Sequence, residues 1–154
     1  SSAASDVYKR QINYIVVHCS ATREGCTLTS EALEAEHRRR GFRTTGYHYY
    51  IRRDGTVLGT RSLELPGAHC RGHNKYSIGI CYEGGLDARG NPKDTRTPEQ
   101  RSALHLLVYQ LLQQFRNARV CGHRDLSPDL DGDGTVEPWE WVKQCPCFEV
   151  SKEF

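Results

Sequence analysis

Apolar and polar positions along this chain fall into several short β-type runs and one long helical stripe. Residues 12–18 are β-branched and apolar and run into the polar cluster Cys19-Ser20-Ala21-Thr22. They read as a central strand whose C-terminal end delivers His18 to a loop. Thr29 or Ser30 suits the cap of a helix over 31–40, with Glu31 and Glu34 early, Arg38, Arg39 and Arg40 late, and Gly41 as the stop. Its apolar face is thin, Leu33 and alanines, which predicts one side on a sheet and the other in water. Residues 47–53 read as a strand, Asp54-Gly55 as a hairpin turn and 56–60 as the return. Residues 77–82 make a further strand that Gly84-Gly85 ends, and the Gly-, Pro- and Asn-bearing stretch to 96 reads as a surface loop.

Thr97-Pro98-Glu99-Gln100 is a helix start: a threonine cap, proline at the first helical position and glutamine where a capping box needs it. Leu104, Leu107, Val108, Leu111, Leu112 and Phe115 then form one continuous apolar stripe, the strongest helix signal in the chain. Residues 119–121 predict a short strand running into Gly122-His123, and a last short helix is expected from Pro138, carrying Trp139, Trp141 and Val142. This order predicts an α/β fold, a single mixed β-sheet flanked by helices. It is one domain over 12–150, preceded by a flexible leader over 1–11.

Composition narrows the classes. At 154 residues the chain is long enough for a self-sufficient core. Its formal charge of +2 is too even for a nucleic-acid binder, and no apolar run approaches the ~20 residues of a membrane span. The 7 cysteines are an odd number, so at least one lies outside any intramolecular disulfide. A disulfide framework with a spare thiol and a metal site with buried thiols both remain open. Cys19, Cys81 and Cys121 in or beside strands read as buried thiols. Cys26 and Cys70 in loops could pair. Cys147 could be a free thiol, a disulfide partner or an alternative ligand.

His18, His123 and Cys145 sit at strand or loop ends, and nitrogen and thiolate donors suit zinc. Spacing alone does not single out these three from 7 histidines and 7 cysteines. The ordered motifs do more. Val16-Val17-His18-Cys19-Ser20-Ala21-Thr22, Gly46-Tyr47-His48-Tyr49-Tyr50-Ile51-Arg52-Arg53-Asp54-Gly55, Gly67-Ala68-His69 with Asn74 and Ser77-Ile78-Gly79-Ile80, Gly122-His123-Arg124-Asp125 and Lys143-Gln144-Cys145-Pro146 follow one another in that order. The chain resembles the type 2 N-acetylmuramoyl-L-alanine amidase family, which includes amidase-type phage lysozymes and is related to peptidoglycan-recognition proteins.

The resemblance implies zinc held by His18, His123 and Cys145, polarising an amide carbonyl and supplying hydroxide. It implies catalytic roles for Lys143, donating to the oxyanion, and Tyr47, orienting water or moving a proton. It also implies substrate contacts at His69 and Asn74, each of which could equally be a structural residue, and sets His37 at the border of the substrate cleft, where a structural or peripheral role outweighs substrate contact. His48, by strand alternation, should face away from Tyr47. The partner implied is peptidoglycan or its fragments, with action at the cell wall by a monomer and the compartment left open. A recognition module without hydrolysis is the alternative.

One segment departs from that pattern. Asp129, Asp131, Asp133, Gly134, Thr135 and Glu140 match positions 1, 3, 5, 6, 7 and 12 of an EF-hand calcium loop. Four close carboxylates repel unless a cation sits among them. Against calcium stand the missing preceding helix and Pro138, and a solvated acidic turn is the plain alternative. A bound calcium would fold this insertion so that the helix after it presents Lys143 and Cys145.

Overall fold

The computed structural model describes residues 10–154. Residues 1–9 of the expected leader lie outside them. Arg10 does not behave as leader: its guanidinium donates to the carbonyls of Leu63, Leu65, Asn74 and Ser77.

Nine regular elements follow: β1 (Tyr14–Cys19), β2 (Thr22–Arg23), α1 (Ser30–Arg39), β3 (Tyr49–Ile51), β4 (Val57–Gly59), β5 (Ser77–Tyr82), β6 (Gly85–Leu86), α2 (Pro98–Gln114) and β7 (Arg119–Gly122). The main sheet has the order β4-β3-β5-β1-β7, parallel except for β4. Parallel strands are covered on both faces, which is why β1 and β5 read as nearly unbroken apolar runs. β2 and β6 add a two-stranded parallel ladder beside the expected single sheet. Two-residue strands leave no periodic trace in a sequence.

Strand alternation divides the core. Ile15, Val17 and Cys19 of β1 and Ile78, Ile80 and Tyr82 of β5 join the stripe Leu104, Leu107, Val108 and Leu111 of α2 in one cluster. Cys81, from the other face, packs with Tyr50 and with Leu33 of α1. Thus α2 covers one face and α1 the other. His18 has the parity of Val16, so it points away from α2, toward the thinly covered side.

Local chemistry sets the boundaries. Thr29 caps α1, and Thr97 and Gln100 form the reciprocal capping box of α2. The expected strand 47–53 shortens to β3 because the chain at Gly46 is bonded to the 67–69 turn, with the Ala68 N–H donating to the Gly46 carbonyl. The helix expected from Pro138 is a single 3-10 turn, Pro138–Glu140. The next amide, Val142 N–H, donates to Ser127 Oγ rather than to a helical carbonyl, and Trp141 is extended. Lys143 and Cys145 therefore lie on an irregular segment.

Candidate metal centre

β1 and β7 are adjacent and parallel, with Val17 opposite Gly122. That register sets His18, the next residue of β1, beside His123, which follows β7; their ring centroids are 4.6 Å apart. The third member comes from the far end of the chain. The Arg124 N–H donates to the Cys145 carbonyl (2.9 Å), and the Arg124 guanidinium stacks on Trp141 (3.9 Å). Potential ligand atoms of His18, His123 and Cys145 all lie within 4.8 Å of one another. The Cys19 N–H donates to Cys145 Sγ (3.2 Å) and so holds the sulfur at the end of β1.

Burial, then the neighbouring His69, His123 and Lys143, holds the His18 pKa well below the ordinary imidazole value. A neutral imidazole needs no proton removed before it binds a cation. The Tyr47 ring lies 5.0 Å from that of His18, and burial, reinforced by the nearby thiols, raises its phenol well above the usual value. It remains an O–H donor at neutral pH.

A cavity of about 920 Å³ reaches the cluster at His123 and is lined also by Lys143, His69 and Asn74. Its size suits a ligand of several rings or residues. His69 is buried, with its ring nitrogens directed at His18 Nε2 (2.8 Å) and Ser77 Oγ (3.2 Å). Asn74 Oδ1 accepts the main-chain N–H groups of His69 and Cys70. His37 is buried, its Nδ1 accepting the Gly46 N–H (2.8 Å) and its ring against Tyr47; it does not line the cavity. His48 Nδ1 accepts the Gly79 N–H, so its Nε2 carries the proton that goes to the Leu65 carbonyl. Arg40, Phe42 and Arg71 also line the cavity. Sequence reasoning passed over them, although an aromatic residue directly after a basic helix end and its glycine stop was a usable signal.

The thiols correct one expectation. Cys26 and Cys70 are both free, the first exposed and the second buried, so they form no pair. Cys81 is a buried thiol as expected, and Cys147 Sγ lies 3.9 Å from Cys19 Sγ.

In the insertion, Asp129 accepts the Gly132 and Gly134 N–H groups, and Asp133 accepts that of Thr135. Glu140 accepts those of Leu130, Asp131 and Glu137. Gly134 takes the positive φ (+87°) that a sharp sixth-position turn requires. Oxygens of Asp129, Asp131 and Glu140 lie within 4.8 Å of one another, as do those of Asp131, Asp133 and Glu137. Glu137, at position 9, was not in the expected set. Hydrogen bonding to Asp133, then to Glu140, pushes its carboxyl up to about 8.

Two adjacent parallel strands, one carrying His18 near its end and the other running into His123, with Cys145 brought to both beside a cavity, define the class. Residues 8–146 match the family of N-acetylmuramoyl-L-alanine amidases, and this chain belongs to that family. It is 35% identical over 144 residues to the endolysin of Klebsiella phage KP32, covering 94% of this chain and 86% of the relative. Among solved structures it resembles the N-acetylmuramoyl-L-alanine amidase LysC of Clostridium intestinale, with a TM-score of 0.72, 27% identity, and coverage of 95% of this chain and 83% of that one. It also resembles a peptidoglycan-recognition protein ectodomain complex, solved with tracheal cytotoxin bound, with a TM-score of 0.68, 26% identity and coverage of 94% and 81%. No helix among the described residues is long and apolar enough to cross a membrane.

Proposed function

We propose that this chain is a zinc-dependent amidase that cleaves the bond between the lactyl group of N-acetylmuramic acid and L-alanine in peptidoglycan or its fragments, acting at the cell wall. The observation that carries this reading is the convergence of His18, His123 and Cys145 beside a cavity that His123 and Lys143 line. Two imidazoles and a thiolate fit zinc and leave a fourth position for water or substrate. Bound there, zinc supplies Lewis acidity and a water of lowered pKa. Lys143, exposed at the cavity wall, donates to the oxygen on which negative charge develops. Tyr47 keeps its proton and so orients water or substrate through its hydroxyl.

The test is mass spectrometry of products from a defined muropeptide, with the full chain zinc-loaded and chelated. A free L-alanine amine and an intact lactyl sugar, both lost on chelation, are expected. Undiminished cleavage by verified zinc-free protein overturns the metal chemistry. Tight muropeptide binding without cleavage by the zinc-loaded chain hands the site to the recognition reading. The carboxylates of 129–140 are proposed to hold a calcium ion of structural use. Calorimetry with calcium should show saturable heat and a raised thermal midpoint over a chelator control, and the absence of both removes the ion from the account.

A further inference from the structure

The metal reading leaves unexplained a buried imidazole in contact with His18. We propose that His69 is a positioning residue that fixes which nitrogen His18 turns toward the metal; the inference rests on the zinc reading above. His69 Nδ1 lies 2.8 Å from His18 Nε2, with the ring planes at 89°. Two neutral imidazoles at that distance share one proton, so one nitrogen donates and the other accepts. On the far side of the ring, His69 Nε2 lies 3.2 Å from the hydroxyl of the fully buried Ser77, which can do either.

The chain of bonds therefore runs in one of two directions. In the first, His18 Nε2–H donates to His69, whose own Nε2–H donates to Ser77. His18 Nδ1 is then left with its lone pair free. In the second, Ser77 donates to His69, His69 Nδ1–H donates to His18, and His18 carries its proton on Nδ1, where no cation can bind. A cation shared with His123 and Cys145 demands the first direction, and His69 with Ser77 supplies the acceptors that direction needs.

The surroundings are shaped to this ring. Asn74 Oδ1 pins the main chain at His69 and Cys70, at 2.9 Å each. Gly79 leaves the ring its space: a methyl group there would lie 2.6 Å from His69 Cγ, and one at Gly67 would overlap His69 Cδ2. With both nitrogens engaged inside the protein, His69 acts through His18 and not on substrate.

The test uses the full chain with zinc alone as probe. In the zinc-bound protein, long-range ¹H–¹⁵N spectra should place the His18 proton on Nε2 and the His69 proton on Nε2. His69→Ala should weaken zinc, measured by competition with a chromophoric chelator, by about tenfold or more. His69→Asn, whose amide oxygen takes the place of Nδ1 as acceptor, should recover much of that loss; a purely space-filling role would not show this pattern. Zinc-bound His18 protonated on Nδ1, or unchanged zinc affinity in folded His69→Ala and His69→Asn, overturns the proposal. If wild-type protein takes up no zinc through His18, the metal reading itself fails, and this inference falls with it.

Discussion

His18 and His123 stand at the ends of adjacent parallel strands, fixed by main-chain ladders and a core on which α2 lies. The segment 129–142 that leads to Lys143 and Cys145 has no ladder; side-chain carboxylates hold it by capping its own N–H groups. Leu130, Trp139 and Val142 lie open on it, at 66%, 64% and 72% exposure. One half of the candidate site is thus built on hydrophobic burial, which is insensitive to ions. The other is built on acids that repel one another when nothing neutralises them. The difference teaches that the two histidines are placed by the fold, whereas the cysteine must be brought to them, through Arg124 on its carbonyl and the Cys19 amide on its sulfur.

The largest expected effect comes from cutting the point where the halves meet. Cys145→Ala or His123→Ala should strip zinc and lower amidase activity by more than about a hundredfold, since even groups that only orient a ligand cost 10- to 100-fold. Metal content by mass spectrometry and a cell-wall turbidity assay measure the two, and zinc retained at full stoichiometry in Cys145→Ala would contradict the assignment. Next in size is the core half. Ile15 is fully buried, and Ile15→Ala should lower unfolding free energy by about 2–5 kcal/mol in denaturant titration.

A smaller effect tests a third way of fastening a segment. Arg96, its side chain fully buried and 3.4 Å above the Phe148 ring, binds Glu153 and so ties the C-terminus to the region before α2. That bond holds the Glu153 carboxyl near 2, below its ordinary 4.5. A depressed carboxylate pKa contributes stability that is complete above about pH 4.5 and disappears as pH falls toward 2. Glu153→Gln should therefore lower the thermal midpoint at pH 7, and the gap to wild type should close over that acid window. A gap independent of pH would mean that the ion pair does not set it. The smallest effect belongs to the insertion: Leu130→Ala should stay within about 0.5 kcal/mol of wild type, because an exposed side chain loses little contact. A cost comparable to that of Ile15→Ala would erase the contrast between the halves.

Much of this was readable in advance, for local reasons. Thr97, Pro98 and Gln100 specify the start of α2 within one turn of chain, and 77–82 declares a strand by being apolar on both faces. His18 and His123 could be placed at strand ends because each directly follows such a run. The short 3-10 turn at Pro138 was misread because what stops it, the Ser127 hydroxyl, is distant in sequence. Substrate-facing and structural roles stayed open for His69 and His37, because a sequence shows that an imidazole is present but not what its nitrogens touch.

The amino-acid order by itself determined the strands of the main sheet, the two capped helices and the acidic loop, because each is written in contiguous residues with a characteristic period or spacing. Tertiary structure alone decided that β7 pairs beside β1, that Cys145 returns to meet two histidines, and that His69 spends both nitrogens inside the protein. Those outcomes depend on strand register and on hydrogen bonds between residues tens of positions apart, and no local pattern encodes either.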